Sequence, residues 1–193
     1  MLISGNGSNL QALIDRAASG DLDVTIAVVV SSEATAFGLT RAQRAGIPTE
    51  VMNLKTVLAQ GGDRAVFDVA LADLVAGYEP DLVVLAGWML VLSEAFLDRF
   101  PGRVINLHPA LPGTFPGTHA IERAHDAFGR GEIDRTGVMV HRVVPEIDAG
   151  PVIAVEHVPM FPGESVEKLE ERVHQVEHNL LVAAVASVLR GDA

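Results

Sequence analysis

The sequence predicts one α/β domain: a Rossmann-like, mostly parallel twisted sheet of about seven strands, with helices on both faces and a mixed C-terminal edge. Three observations carry this. Residues 24–30 and 81–86 are short apolar runs rich in β-branched side chains, as expected of strands covered on both faces. The segments between such runs, 36–45 and 64–76, place apolar residues at helical spacing and end near glycines. The first apolar run, Leu2-Ile3, leads directly into a Gly-Asn-Gly turn with a helix-like pattern after it.

The remaining elements follow in order. The first strand is short, because Gly5 and Gly7 come so soon, and a start upstream of Met1 would give it ordinary length. Gly46 and Pro48 stop the helix over 36–45, and 49–52 reads as a strand. In 64–76 the apolar positions are Val66, Phe67, Ala70, Leu71 and Leu74, and Gly77 ends the pattern. Ser93 is placed to cap a short helix running to Phe100. Strand 103–107 follows. Residues 108–118 hold Pro109, Pro112, Pro116, Gly113 and Gly117, which forbids regular structure. A helix over 119–128 leads to strands at 137–144 and 151–158, with no helix between them. Ser165 opens a long terminal helix with Leu169, Val173, Val176, Leu180, Leu181 and Ala184 on one face. No repeat, low-complexity tract or linker interrupts the chain, so 1–193 is expected to be a single domain.

The composition narrows the function. Of the 193 residues, 49% are hydrophobic, enough for a core of useful size. The net charge of −11 disfavours a polyphosphate partner, so nucleic acid is not expected. The absence of cysteine excludes disulfides, thiolate nucleophiles and Cys-ligated zinc. There is no apolar stretch of membrane-spanning length and no secretory leader pattern, so a cytoplasmic location is expected.

In open α/β sheets, ligands sit beyond the carboxyl ends of the strands. Here the loops 5–9, 87–92 and 108–118 leave such ends and are expected to converge on one crevice. Gly5-Asn6-Gly7-Ser8-Asn9-Leu10 lacks the third small residue of a dinucleotide fingerprint. The next strand ends in Ser31-Ser32, with only Glu33 to serve as the ribose acid, so a dinucleotide is disfavoured. Two readings stay open: a single phosphate on the N–H groups of Gly7, Ser8 and Asn9, or a plain tight turn capped by Ser8 or Asn9.

Asn106 and His108 emerge on one side of a strand end if that strand continues to residue 108. An amide and an imidazolium side by side can both donate to a developing oxyanion. Asp148, in a loop after a later strand, is placed to approach His108 and keep it protonated. His174-Gln175-Val176-Glu177-His178 spells an inverted zinc-protease signature, but no acid except Asp192 follows it. The segment therefore reads as a polar helix face, or as a site for Glu177 alone, with no metal.

Four segments occur together and in order: Ser4-Gly5-Asn6-Gly7-Ser8-Asn9-Leu10-Gln11, Val84-Leu85-Ala86-Gly87-Trp88-Met89, Asn106-Leu107-His108-Pro109 and Asp148-Ala149-Gly150-Pro151-Val152-Ile153. On these the chain resembles the phosphoribosylglycinamide formyltransferases, folate-dependent enzymes of purine biosynthesis, from Leu2 to about Leu189. The resemblance implies formyl transfer from 10-formyltetrahydrofolate, a co-substrate and not a tightly bound cofactor, to the amine of 5′-phosphoribosylglycinamide. It implies Asn106, His108 and Asp148 as the catalytic three. Gly7, Ser8 and Asn9 would grip the acceptor's phosphate and Glu177 its ribose. Arg64, Met89, Leu90, Val91, Leu92, Val144 and Ile147 would border the folate. It implies a monomer or homodimer acting on small molecules, without nucleic acid or membrane.

Two departures stand out. Leu90 replaces a basic residue, beside Trp88 in the aromatic position. The loop 108–114 reads His-Pro-Ala-Leu-Pro-Gly-Thr, its second proline one position early and the usual serine gone. Methionyl-tRNA formyltransferase shares the core but needs an RNA-binding domain and a basic face. Formyltetrahydrofolate deformylase carries an added regulatory domain. The alternatives kept are a deformylase-like hydrolase and a non-catalytic folate- or phosphosugar-binding module.

Overall fold

The structure is a computed structural model and describes residues 1–192. The chain divides into two compact units, Met1–Ile105 and the residues from Asn106 onward. The first holds β1 (Leu2–Ile3), α1 (Ser8–Ser19), β2 (Val29–Ser31), α2 (Phe37–Arg44), β3 (Thr49–Val51), α3 (Leu54–Ala59), α4 (Arg64–Ala76), β4 (Val83–Leu85) and α5 (Glu94–Leu97). β5 (Val104–His108) begins in the first unit and ends in the second, which also holds α6 (Ala120–Gly129), β6 (Arg135–Arg142), β7 (Val152–Pro159) and α7 (Val166–Arg190). The hydrogen-bonded strand order is β3-β2-β1-β4-β5-β6-β7. This is the predicted α/β class.

In the first unit β1 pairs in parallel with β2 on one side and β4 on the other, so the strand order reverses at β1. Ligand sites in open α/β sheets form where order reverses, and the loops after β1 and β4 leave that point. Ile3, Leu10, Ile14, Val29 and Ala42 build the core beneath them. Gly7, whose φ of 74° is left-handed, is the N-cap of α1, and no side-chain hydrogen bond caps the helix; neither Ser8 nor Asn9 is the cap. Gly7 lies against Gly38, where a Cβ would come within 2.7 Å of the Gly38 Cα, so glycine is needed for both conformation and space.

The 24–30 strand is shorter than predicted. Pairing with β1 matches Leu2 to Val30 and Ile3 to Ser31, so residues 24–27 run past the register and are left partly exposed. α3 was not anticipated. Its six residues bury nothing, so periodicity gave no signal, although Asn53 caps it by accepting from the Thr56 N–H. α4 has the predicted bounds, with Asp63 accepting from the Val66 N–H at 2.9 Å. α5 stops at Leu97 and not Phe100. Ser93 occupies its N-cap position but makes no capping bond, and its buried hydroxyl has no partner.

In the second unit β6 and β7 pair antiparallel, from Arg135 opposite Pro159 to His141 opposite Val152, with an irregularity between Val140 and His141. This is the predicted mixed edge. Val138, Met139 and Val140 are all buried, and α7 packs on this pair through Leu169, Val173, Leu181, Ala184 and Val185. Among the described residues no helix is long and apolar enough to cross a membrane.

Asp63→Ala removes the α4 cap and is expected to lower unfolding stability by about 1 kcal/mol. Ser93→Ala removes only an unpartnered hydroxyl and is expected to change it by less than about 0.5 kcal/mol. Urea unfolding of the two variants checks both.

Candidate active site

The second unit brings the predicted catalytic residues together. β5 continues to His108, so alternation places Asn106 and His108 on one side of its end. The loop after β6 turns back through Asp148, which adopts a left-handed φ of 52°. Its carboxylate is the meeting point. Oδ1 accepts from Asn106 Nδ2 at 3.1 Å, and Oδ2 accepts from the Gly117 N–H at 2.8 Å. His108 Nδ1 lies 3.4 Å from Oδ2, and His141 Nε2 lies 3.4 Å from Oδ1. Both imidazoles are buried, His108 4% and His141 2% exposed.

Gly150 makes this return possible. A Cβ there would fall 1.8 Å from the Arg142 carbonyl oxygen, and the strands join at the same point through the Arg142 N–H to the Pro151 carbonyl at 2.8 Å. The Arg142 carbonyl also faces His141 Nδ1 at 2.8 Å.

The His108 ring is held on its other side. Nε2 lies 3.1 Å from the Phe115 carbonyl, which can only accept, so the proton of the neutral ring sits on Nε2. Arg123 Nη2 donates to the Phe115 and Pro116 carbonyls at 2.6 and 2.7 Å, pinning the proline-rich loop, where Phe115 has a left-handed φ of 46°. His141, Phe115, Gly117 and Arg123 were all missed in the sequence. A histidine closing an otherwise apolar strand was the one available signal, for His141.

The electrostatics correct one expectation. Burial lowers the His108 pKa and outweighs the nearby Asp148 charge and the Phe115 carbonyl, both of which raise it. The net shift is downward, so His108 is not kept protonated by Asp148 as expected. For Asp148, burial acts upward, but the adjoining His141 ring, the Gly117 N–H and the nearby His108 ring together hold its pKa below the usual value.

Glu177 is also in this unit. It is 6% exposed and shares the buried stripe of α7 with Val173 and Leu181, while His174 is exposed. A polar face is therefore the wrong description for Glu177. Among the described residues no cluster could hold a metal ion. Val144 is half-buried and Ile147 exposed, on the loop leading to Asp148.

The first unit carries the other predicted positions. Two of the three expected loops meet there, with the Met89 N–H donating to Ser4 Oγ at 3.0 Å. The start of α1 turns the backbone N–H groups of its first residues outward along the helix axis, and such helix ends attract anions. Arg41 anchors the preceding turn, donating to the Asn6 carbonyl at 2.9 Å and to Asn6 Oδ1 at 2.8 Å. Arg64 is partly committed elsewhere. It pairs with the buried Asp68 one turn on, at 2.9 and 3.0 Å, and donates to the Val91 carbonyl. Met89 is 63% exposed and Val91 is also exposed, with Leu90 half-buried. Leu92 is only 3% exposed and packs inward, so its side chain is not presented to a ligand. Trp88 is buried, and its indole N–H has no hydrogen-bond partner.

The fold agrees with a family comparison. The model described as "Formyl transferase" matches residues 1–185, and the chain belongs to that family. Within it, the chain is 46% identical to phosphoribosylglycinamide formyltransferase of Dictyostelium discoideum, covering 96% of this chain and 94% of that one. It is 42% identical to the Escherichia coli K12 enzyme of the same name, over 92% of this chain and 80% of that one. The crystal structure of glycinamide ribonucleotide transformylase 1 from Symbiobacterium toebii superposes with a TM-score of 0.91 at 38% identity, over 98% of this chain and 86% of that one.

Gly150→Ala is expected to lower stability by about 3 kcal/mol or more, since backbone must move to admit the methyl group. The two depressed pKa values predict loss of stability on acidification. A group whose folded pKa is below its unfolded value stabilises above the unfolded value and loses that contribution as pH falls. His108 therefore acts below about 6.5 and Asp148 below about 3.8. His108→Gln should flatten the upper part of the stability–pH curve, measured by urea unfolding across that range.

Proposed function

We propose that Asn106, His108 and Asp148 carry out formyl transfer in this chain, as the catalytic group of a phosphoribosylglycinamide formyltransferase. The enzyme moves a formyl group from 10-formyltetrahydrofolate, a co-substrate and not a resident cofactor, to the amine of 5′-phosphoribosylglycinamide in purine biosynthesis. The observation that supports the residue roles is the Asp148 carboxylate within reach of both Asn106 and His108.

The amine nitrogen attacks the formyl carbon directly. A C–N bond forms and the carbonyl π pair moves onto oxygen. No protein nucleophile is needed, which suits a chain without cysteine. Asn106 donates an N–H to the oxyanion. His108 Nε2–H, which faces the Phe115 carbonyl, is the second donor. Removing one such donor costs about 3–4 kcal/mol of transition-state stabilisation. Asp148 assists transfer of the amine proton toward the departing folate nitrogen and stabilises positive charge on His108 as that proton moves. Collapse of the intermediate then breaks the bond between the formyl carbon and that nitrogen. Because the free ring favours the neutral form, a charged His108 is better assigned to the transition state than to the resting enzyme.

Gly7, Ser8 and Asn9 hold the acceptor's phosphate on backbone N–H groups at the start of α1, and Glu177 takes ribose hydroxyls. Arg64, Met89, Leu90, Val91, Leu92, Val144 and Ile147 border the folate, Leu92 through its backbone. The partners are these two small molecules, and the location proposed is cytoplasmic.

Absorbance-monitored formyl transfer to phosphoribosylglycinamide tests the assignment. Asp148→Asn is expected to lower kcat by about 10²- to 10³-fold while the KM for folate changes by less than about twofold. His108→Ala should be similarly slow. Parent-like kcat in either variant removes the role given to that residue, and binding without turnover in the parent would favour the non-catalytic module.

A further inference from the structure

His141 has no part in the scheme above, yet it is among the most deeply buried polar side chains and touches two of the three catalytic residues. Its Nδ1 faces the Arg142 carbonyl at 2.8 Å. A carbonyl only accepts, so Nδ1 carries a hydrogen, and in the neutral ring Nε2 is left as an acceptor. That lone pair faces Asn106 Nδ2 at 3.2 Å, and Asp148 Oδ1 stands 3.1 Å from the same nitrogen. The two acceptors are themselves 3.4 Å apart.

The three atoms therefore form a near-equilateral triangle. Seen from Nδ2, the acceptors lie much closer together than the two hydrogens of a planar amide. One N–H points between both acceptors, and the other diverges from them. Turning the amide over would set its oxygen against a lone pair and a carboxylate, so this orientation is fixed by repulsion as well as attraction. The other charged or titratable groups at the cluster are His108, across Asp148, and Arg123, beyond His108.

We propose that His141 is a positioning residue for formyl transfer: as an Nε2 acceptor it fixes the Asn106 amide, together with Asp148, so that the second N–H is presented to the developing oxyanion. Gly150 belongs to the same device, because a Cβ there would displace the carbonyl that sets the tautomer. The inference rests on the proposed reaction for its catalytic consequence, but its structural half is independent of activity.

Two measurements test it. In ¹⁵N NMR of the intact protein, well above the titration range of imidazole, His141 should show a protonated Nδ1 and a bare Nε2. The opposite tautomer overturns the proposal whether or not the protein transfers formyl groups. In formyl-transfer kinetics, His141→Met, apolar and of similar bulk, should lower kcat about 10- to 100-fold with both KM values within about twofold. His141→Gln keeps an acceptor near the Nε2 position and should recover most of that loss. Parent-like kcat in the Met variant, or equal slowing in both variants, overturns the positioning role. Inactivity of the parent, with the predicted tautomer present, counts against the proposed reaction and leaves the amide geometry standing.

Discussion

The site depends on one buried carboxylate finding enough donors. Taking a charge out of water is costly unless it is paired and hydrogen-bonded. Asp148 meets that demand by accepting from the Asn106 amide and the Gly117 N–H, with the two imidazoles 3.4 Å away on either side. These four neighbours come from three places: Asn106 and His108 from the end of β5, Gly117 from the proline-rich loop and His141 from the end of β6. Satisfying Asp148 therefore ties those three segments together in one geometry, and the left-handed backbone at Asp148 is a strain which that network offsets.

The close approach at Gly150 plays the matching role in the backbone. It lets the returning loop lie against the Arg142 carbonyl, and that carbonyl sets the ring of His141. A missing side chain thus fixes a tautomer several bonds away. The Asp-Ala-Gly-Pro sequence supplies the carboxylate, the gap and the restart of β7 within four residues.

Much of this was legible in the sequence, for definite reasons. Buried strands and α4 announce themselves by apolar runs and by a 3.6-residue pattern that Gly77 ends. Asn106 and His108 stand at the end of β5, where chemistry gathers in this class of fold, and Asp148 lies in the loop between β6 and β7. What escaped was whatever depends on a partner distant in sequence. Ser93 spells a cap but makes no capping bond; α3 buries nothing; Glu177 looks polar on paper but occupies the apolar stripe of α7. The His108 charge was misjudged because spacing reveals a neighbouring acid but not the burial that opposes it.

The Phe115 carbonyl against His108 Nε2 has one more consequence. The Phe115 carbonyl already takes the hydrogen that the proposed reaction directs to a substrate oxygen, so the imidazole N–H has no unmet demand to satisfy. Exchanging that amide oxygen for a neutral formyl oxygen gains almost nothing. Exchanging it for an alkoxide-like oxygen gains a great deal. The swap is thus weighted toward the instant of bond formation, and ground-state grip on the donor must come from elsewhere in the molecule.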